Sequence, residues 1–173
     1  MRPFVIAAAA LALSGILPAA AQQESTNRVA AETDWSVFVE ENPTECWGVS
    51  APKETVNSRD GRVVQVRRGD ILLFVTFRPG AGAAGEVSFT GGYPFRPNST
   101  VEVEVSGESY QMMTQGEWAW PTPEDDARLL AALKRGAEAT LTAFSSRGTQ
   151  TQDTFSLMGF TAAMTEAERR CSE

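Results

Sequence analysis

Val101-Glu102-Val103-Glu104-Val105-Ser106-Gly107, with the return at residues 110–114, is the stretch that decides the fold class of this chain. Valine at every second position sets Val101, Val103 and Val105 on one face and Glu102 and Glu104 on the other, the two-residue period of a half-buried strand. Ser106-Gly107 is a two-residue turn signal, so the segment reads as a β-hairpin.

The same period recurs toward the N-terminus. Trp35, Val37 and Val39 share one face of residues 34–40, and Asn42-Pro43 then turns the chain. Residues 46–51 and 63–66 are short β runs, with Asp60-Gly61 as the turn before the second. Ile71-Leu72-Leu73-Phe74-Val75-Thr76-Phe77 is apolar on both faces and reads as a central strand covered on both sides. A glycine-rich stretch, Pro79 with Gly80, Gly82 and Gly85, suits a long mobile hairpin before a strand at 86–90.

Toward the C-terminus one helix is well marked. Thr122 is its N-cap, Pro123 its first position, Glu124, Asp125 and Asp126 complement the positive end of its dipole, and Gly136 follows Lys134-Arg135. Leu129, Leu130 and Leu133 form its apolar stripe. Residues 137–145 and 149–157 pair around Arg147-Gly148. A terminal helix then sets Phe160, Ala163, Met164, Ala167 and Cys171 on one face. Nine or ten short strands with two short helices predict a mainly β domain, an antiparallel β-sandwich.

The N-terminus predicts export. Met1-Arg2, the apolar residues 4–17, Pro18 and Ala19-Ala20-Ala21 follow the charged, apolar and small-residue order of a signal peptide at 1–21, cleaved before Gln22. The apolar run is about 14 residues, short of the ~20 that span a bilayer, so no transmembrane anchor is expected. A lipid anchor would need Cys at the new N-terminus, and the first cysteine is Cys46. Polar residues 22–33 read as a flexible leader, and 34–173 as a single domain. In the oxidising compartment this implies, Cys46 and Cys171 are expected to pair and close a loop of about 125 residues; two separate buried thiols are the alternative.

Composition excludes several functions. The chain has 15 basic and 22 acidic residues, a net charge of −7 that becomes more negative once Arg2 is removed, and no basic run. Phosphate backbones and anionic lipid surfaces repel such a chain, so no nucleic-acid partner is expected. It contains no histidine, the commonest general base and metal ligand. No metal, no cofactor and no catalytic residue is expected, and the protein reads as a non-enzyme. Ser50-Ala51-Pro52-Lys53 has a catalytic spelling, but Pro52 denies it the helical geometry that spelling needs. Arg68-Gly69-Asp70 spells an adhesive tripeptide where ordinary turn chemistry suffices. Asn98-Ser99-Thr100 spells a glycosylation acceptor. The carboxylates Glu40-Glu41, Glu102 with Glu104, and Glu124-Asp125-Asp126 each have a structural role. Trp118, Trp120 and Tyr93 are candidates for an aromatic contact patch, with core packing of Trp118 and Trp120 the favoured reading.

Asp34-Trp35-Ser36-Val37, Cys46-Trp47-Gly48-Val49, Gly69-Asp70 with the strand that follows, Gly85-Glu86-Val87-Ser88-Phe89 and the ending Phe155-Ser156-Leu157-Met158-Gly159-Phe160-Thr161-Ala162-Ala163 together resemble the invasion-associated locus B family of alphaproteobacterial exported proteins. The resemblance implies an immunoglobulin-like β-sandwich, a place in the periplasm or cell envelope or secretion, and no recognised enzyme activity. Where many members of that family carry a further cysteine, four residues after the first Trp, this chain has Val39, which directs Cys46 toward Cys171. The expected function is macromolecular binding of an envelope or host protein, in host-cell interaction or invasion, with Gly80, Gly82 and Gly85 on a contact loop. The alternative is a periplasmic carrier of a small apolar ligand held beside residues 71–77.

Overall fold

The hairpin at the centre of the sequence forms as its pattern dictates. Strands β8 (Thr100–Val105) and β9 (Glu108–Gln115) pair with Val103 opposite Tyr110 and Val105 opposite Glu108, leaving Ser106 and Gly107 as the turn. Both turn residues have positive φ, 53° and 81°, the primed turn whose twist matches that of the strands. Val101, Val103 and Val105 are buried, while Glu102 and Glu104 face solvent.

The computed structural model describes residues 27–42 and 44–172. The expected signal peptide, 1–21, and the first part of the leader lie outside the described residues. Around the hairpin stand β1 (Arg28–Glu32), β2 (Trp35–Glu40), β3 (Glu45–Ser50), β4 (Glu54–Arg59), β5 (Arg62–Val63), β6 (Leu72–Arg78), β7 (Ala83–Thr90), β10 (Trp118–Pro121), β11 (Glu138–Phe144) and β12 (Gln150–Ser156). All join one antiparallel sheet in the order β1-β2-β3-β6-β7-β10-β9-β8-β11-β12-β4-β5.

This sheet folds over on itself. Phe89 on β7 and Phe155 on β12 have four strands between them, yet their rings meet edge to face with centroids 6.1 Å apart. Trp35 Nε1 on β2 donates to the Ser156 carbonyl at the end of β12, 3.0 Å away. The inner faces of the two halves therefore make one core, which holds Val37, Leu73, Val75, Val87, Met112, Leu141 and the two phenylalanines.

Two helices close the core. Helix α1 (Pro123–Arg135) begins at Thr122, whose Oγ1 accepts the Asp125 N–H, and buries Leu129, Ala132 and Leu133. Helix α2 (Phe160–Cys171) buries Phe160, Ala163, Met164, Ala167 and Cys171, the five residues its 3.6-residue period selects. Phe160 meets Trp35 edge to face at 4.8 Å. Gly48 makes room for this helix, because a Cβ there would stand 2.1 Å from Met164 Cε. The Cys46–Cys171 disulfide joins the end of α2 to β3, with Cα atoms 5.7 Å apart and 125 residues between the cysteines.

Three expectations are corrected, and one strand is present that no pattern in the sequence announces. Residues 28–32, expected within a flexible leader, form β1 and pair with β2. The polar segment Glu54–Arg59 is a strand, β4, because its partner β12 supplies the pairing its own composition does not advertise. The strand expected at 63–66 is confined to Arg62–Val63, and the chain then runs irregularly to residue 71. The glycine-rich hairpin is short: Pro79–Ala81 is a single 3-10 turn, Gly82 follows at φ 72°, and Gly85 is buried within β7.

Candidate functional site: an aromatic outer face

Alternation places Trp118 and Trp120 on one face of β10, but that face is the outer one. Ala119 between them is fully buried and Trp118 is 39% exposed, so the expected core packing of the two tryptophans is overturned. The reason lies in β7, β10's partner: Ala119 sits opposite Phe89, a core residue, and this register turns its neighbours outward.

Across the outer face other rings join them. Trp118 and Trp120 stack with centroids 6.2 Å apart, and Trp118 leans on Phe74 of β6 at 5.7 Å. Phe38 of β2 stacks on Trp47 of β3, 5.7 Å apart and nearly parallel. Met113 of β9, 55% exposed, sits opposite Trp120 and extends the apolar surface. Between the two ring clusters lies a groove of about 460 Å³ lined by Trp47, Phe74, Trp118 and Trp120, with Thr76 and Ser88 on its floor. Arg78 rims it, donating to Glu45 at 3.0 Å and to Glu86 at 3.1 Å. Apolar rings inside a charged, hydrogen-bonding rim is the layout of a contact surface.

The other expected binding residues fall elsewhere. Gly82 and Gly85 line a separate groove between the β6–β7 turn and α1, which Trp120 borders from its other edge. Gly85 is tied to that packing, since a Cβ there would stand 2.7 Å from Leu130 Cδ2, while Gly80 has open space around it. Tyr93 is remote from the tryptophan face in its contacts: its hydroxyl bonds Thr151, its ring meets Phe95 edge to face, and the Arg68 guanidinium lies 5.0 Å from its centre. Burial pushes its phenol up to about 12.

The motifs weighed in the sequence find structural duties. Arg68 of the adhesive tripeptide is buried, donating to both carboxylate oxygens of Asp153, to the Asn57 side chain and to the Gly91 carbonyl. That guanidinium is committed inward and is not presented to a partner. Ser50 Oγ donates to the Asp34 carbonyl at 2.7 Å and Lys53 pairs with the Asp34 carboxylate, so the two do not act on each other. Asp126 accepts the Val87 N–H at 3.0 Å and anchors α1 to β7. Among the described residues no group of three or more acidic or sulfur side chains is placed to hold a metal ion.

Fold and face together define a folded-over antiparallel β scaffold, locked to its last helix by a disulfide and carrying an open aromatic surface. The chain belongs to the invasion associated locus B (IalB) family, whose description matches residues 35–168. Its structure is similar to the crystal structure of the invasion associated protein B from Bartonella henselae, with a TM-score of 0.55 and 16% sequence identity over 83% of this chain and 98% of that one. At that identity the likeness is one of fold. No curated protein matches the chain. No helix among the described residues is long and apolar enough to cross a membrane.

Proposed function

We propose that the chain is exported, loses residues 1–21, and works in the periplasm or cell envelope by holding another macromolecule against the outer face of β3, β6, β7 and β10, without turnover. The observation that carries this reading is the exposure of Trp118 beside Trp120, Trp47, Phe74 and Met113 on one surface. Tryptophan is concentrated at the energetic centres of interfaces, and a rim of ion-paired charge suits orientation of a partner. Family membership supports an envelope setting, and the Bartonella relative's name supports host-cell contact as one arena for it.

The carrier alternative has no such observation behind it. The inner face of β6 is filled, with Leu73, Val75 and Phe77 at most 6% exposed and packed into the common core.

Affinity capture from envelope extract tests the proposal, comparing the wild-type chain with Trp118→Ser/Trp120→Ser. Retention of a defined envelope or host protein by the wild type, reduced at least tenfold in the variant, is the expected result; equal retention by both overturns it.

A further inference from the structure

The fold gathers arginines that the sequence keeps far apart. Arg59 ends β4, Arg67 and Arg68 lie on the irregular segment after β5, and Arg147 sits in the turn between β11 and β12. All four line one cavity of about 480 Å³, whose wall also carries Tyr93 and the hydroxyls of a serine and threonine cluster. On a chain of net charge −7 this is a local excess of positive charge: among the described residues the only acidic one lining the cavity is Glu117, and the Asp153 beneath it is already paired with Arg68.

Among the described residues, three of the four guanidiniums have no carboxylate partner. Arg59 donates to Thr149 Oγ1 at 2.7 Å, and among the described residues neither Arg59, Arg67 nor Arg147 has an acidic side chain within ion-pair distance. The floor is rigid. Arg68 holds Asp153, Asn57 and the Gly91 carbonyl, and Gly69 N donates to the Gly92 carbonyl at 2.8 Å, so the segment carrying Arg67 is fixed at the cavity wall.

We propose that this cavity binds a phosphate monoester group, with Arg59, Arg67 and Arg147 as the residues that hold it and Arg68 as the residue that positions the wall. Guanidinium forks suit a tetrahedral dianion, which offers enough oxygens for three of them at once, whereas one carboxylate saturates a single fork. The chain's negative charge does not forbid this, because at physiological salt charges more than about 8 Å from the site are largely screened while the adjacent arginines are not. The site lies apart from the tryptophan groove in its lining and stands or falls independently of it.

The test is calorimetric titration of the full exported chain with inorganic phosphate against sodium chloride at matched ionic strength, with flotation on phosphatidylcholine vesicles doped with phosphatidic acid as a second arm. Saturable phosphate binding that falls at least tenfold in Arg67→Gln/Arg147→Gln, with an unchanged circular dichroism spectrum, supports the site and assigns soluble phosphate esters. Vesicle binding with the same dependence on the arginines supports it and assigns a lipid-borne phosphate. Binding no greater than in chloride in both arms, or binding that the double variant retains, overturns it.

Discussion

Arg68 and Asp153 meet as a bidentate ion pair in the interior, with Nη1 to Oδ1 at 2.7 Å and Nη2 to Oδ2 at 2.6 Å and side chains only 6% and 0% exposed. The pair ties the irregular segment after β5 to β12, and the Asn57 and Gly91 bonds extend the tie to β4 and to the turn before Phe95. Burial pushes the Asp153 carboxyl up, and Arg68 opposes that rise.

Removing one partner leaves the other charged and buried. Arg68→Met is expected to lower unfolding free energy by about 3–5 kcal/mol in a urea titration, while the exposed Arg67→Gln stays within about 0.5 kcal/mol of wild type. Arg68→Lys does not rescue, since one ammonium cannot span both Asp153 oxygens and the Gly91 carbonyl.

Reduction tests the link between β3 and α2. Cys46→Ser/Cys171→Ser frees a loop of 125 residues and is expected to cost about 4–5 kcal/mol on the chain-entropy account. The α2 amides should then lose hydrogen-exchange protection before those of β8 and β9, because the helix is released at the end the bond holds.

Gly159 ends the approach to α2 at φ 87°, and a Cβ there would stand 2.0 Å from the Glu32 carbonyl oxygen of β1. Backbone on both sides cannot yield as a side chain can. Gly159→Ala is expected to destabilise by at least about 1–2 kcal/mol, whereas Gly107→Ala meets only its left-handed φ and open space. Thermal unfolding of the two variants side by side separates the effects.

The protein has two tyrosines, and both titrate above their ordinary value. For Tyr93 the cause is burial, which outweighs the Thr151 bond and Arg68 and carries the phenol to about 12. Between about 10 and that value the folded chain keeps a proton the unfolded chain has released. The neutral phenol's contribution to stability is therefore complete below about 10 and is lost as pH rises through the folded value. Ultraviolet titration should show no tyrosinate from Tyr93 near pH 10; ionisation there contradicts its placement.

Much of the fold was legible because it rests on local patterning. The β8–β9 hairpin, the Thr122 cap and the buried stripe of α2 follow from periods of two and 3.6 and from turn chemistry that tertiary packing did not override. What stayed hidden depends on partners. Strand β4 is polar and becomes a strand through β12, and β1 does so through β2. Alternation put Trp118 and Trp120 together, yet only the pairing of Ala119 with Phe89 says which way they point. The arginine cavity assembles from residues up to 88 positions apart, as Arg59 and Arg147 are, so no basic run announces it.

In-cell photo-crosslinking tests the central claim most directly, with a photoreactive residue at Met113, beside Trp120 on the outer face, and a control at Glu138, exposed on β11. The account predicts a discrete adduct with one macromolecular partner from position 113, none from position 138, and loss of the adduct in Trp118→Ser/Trp120→Ser. No adduct from position 113, or equal adducts from both positions, would contradict it.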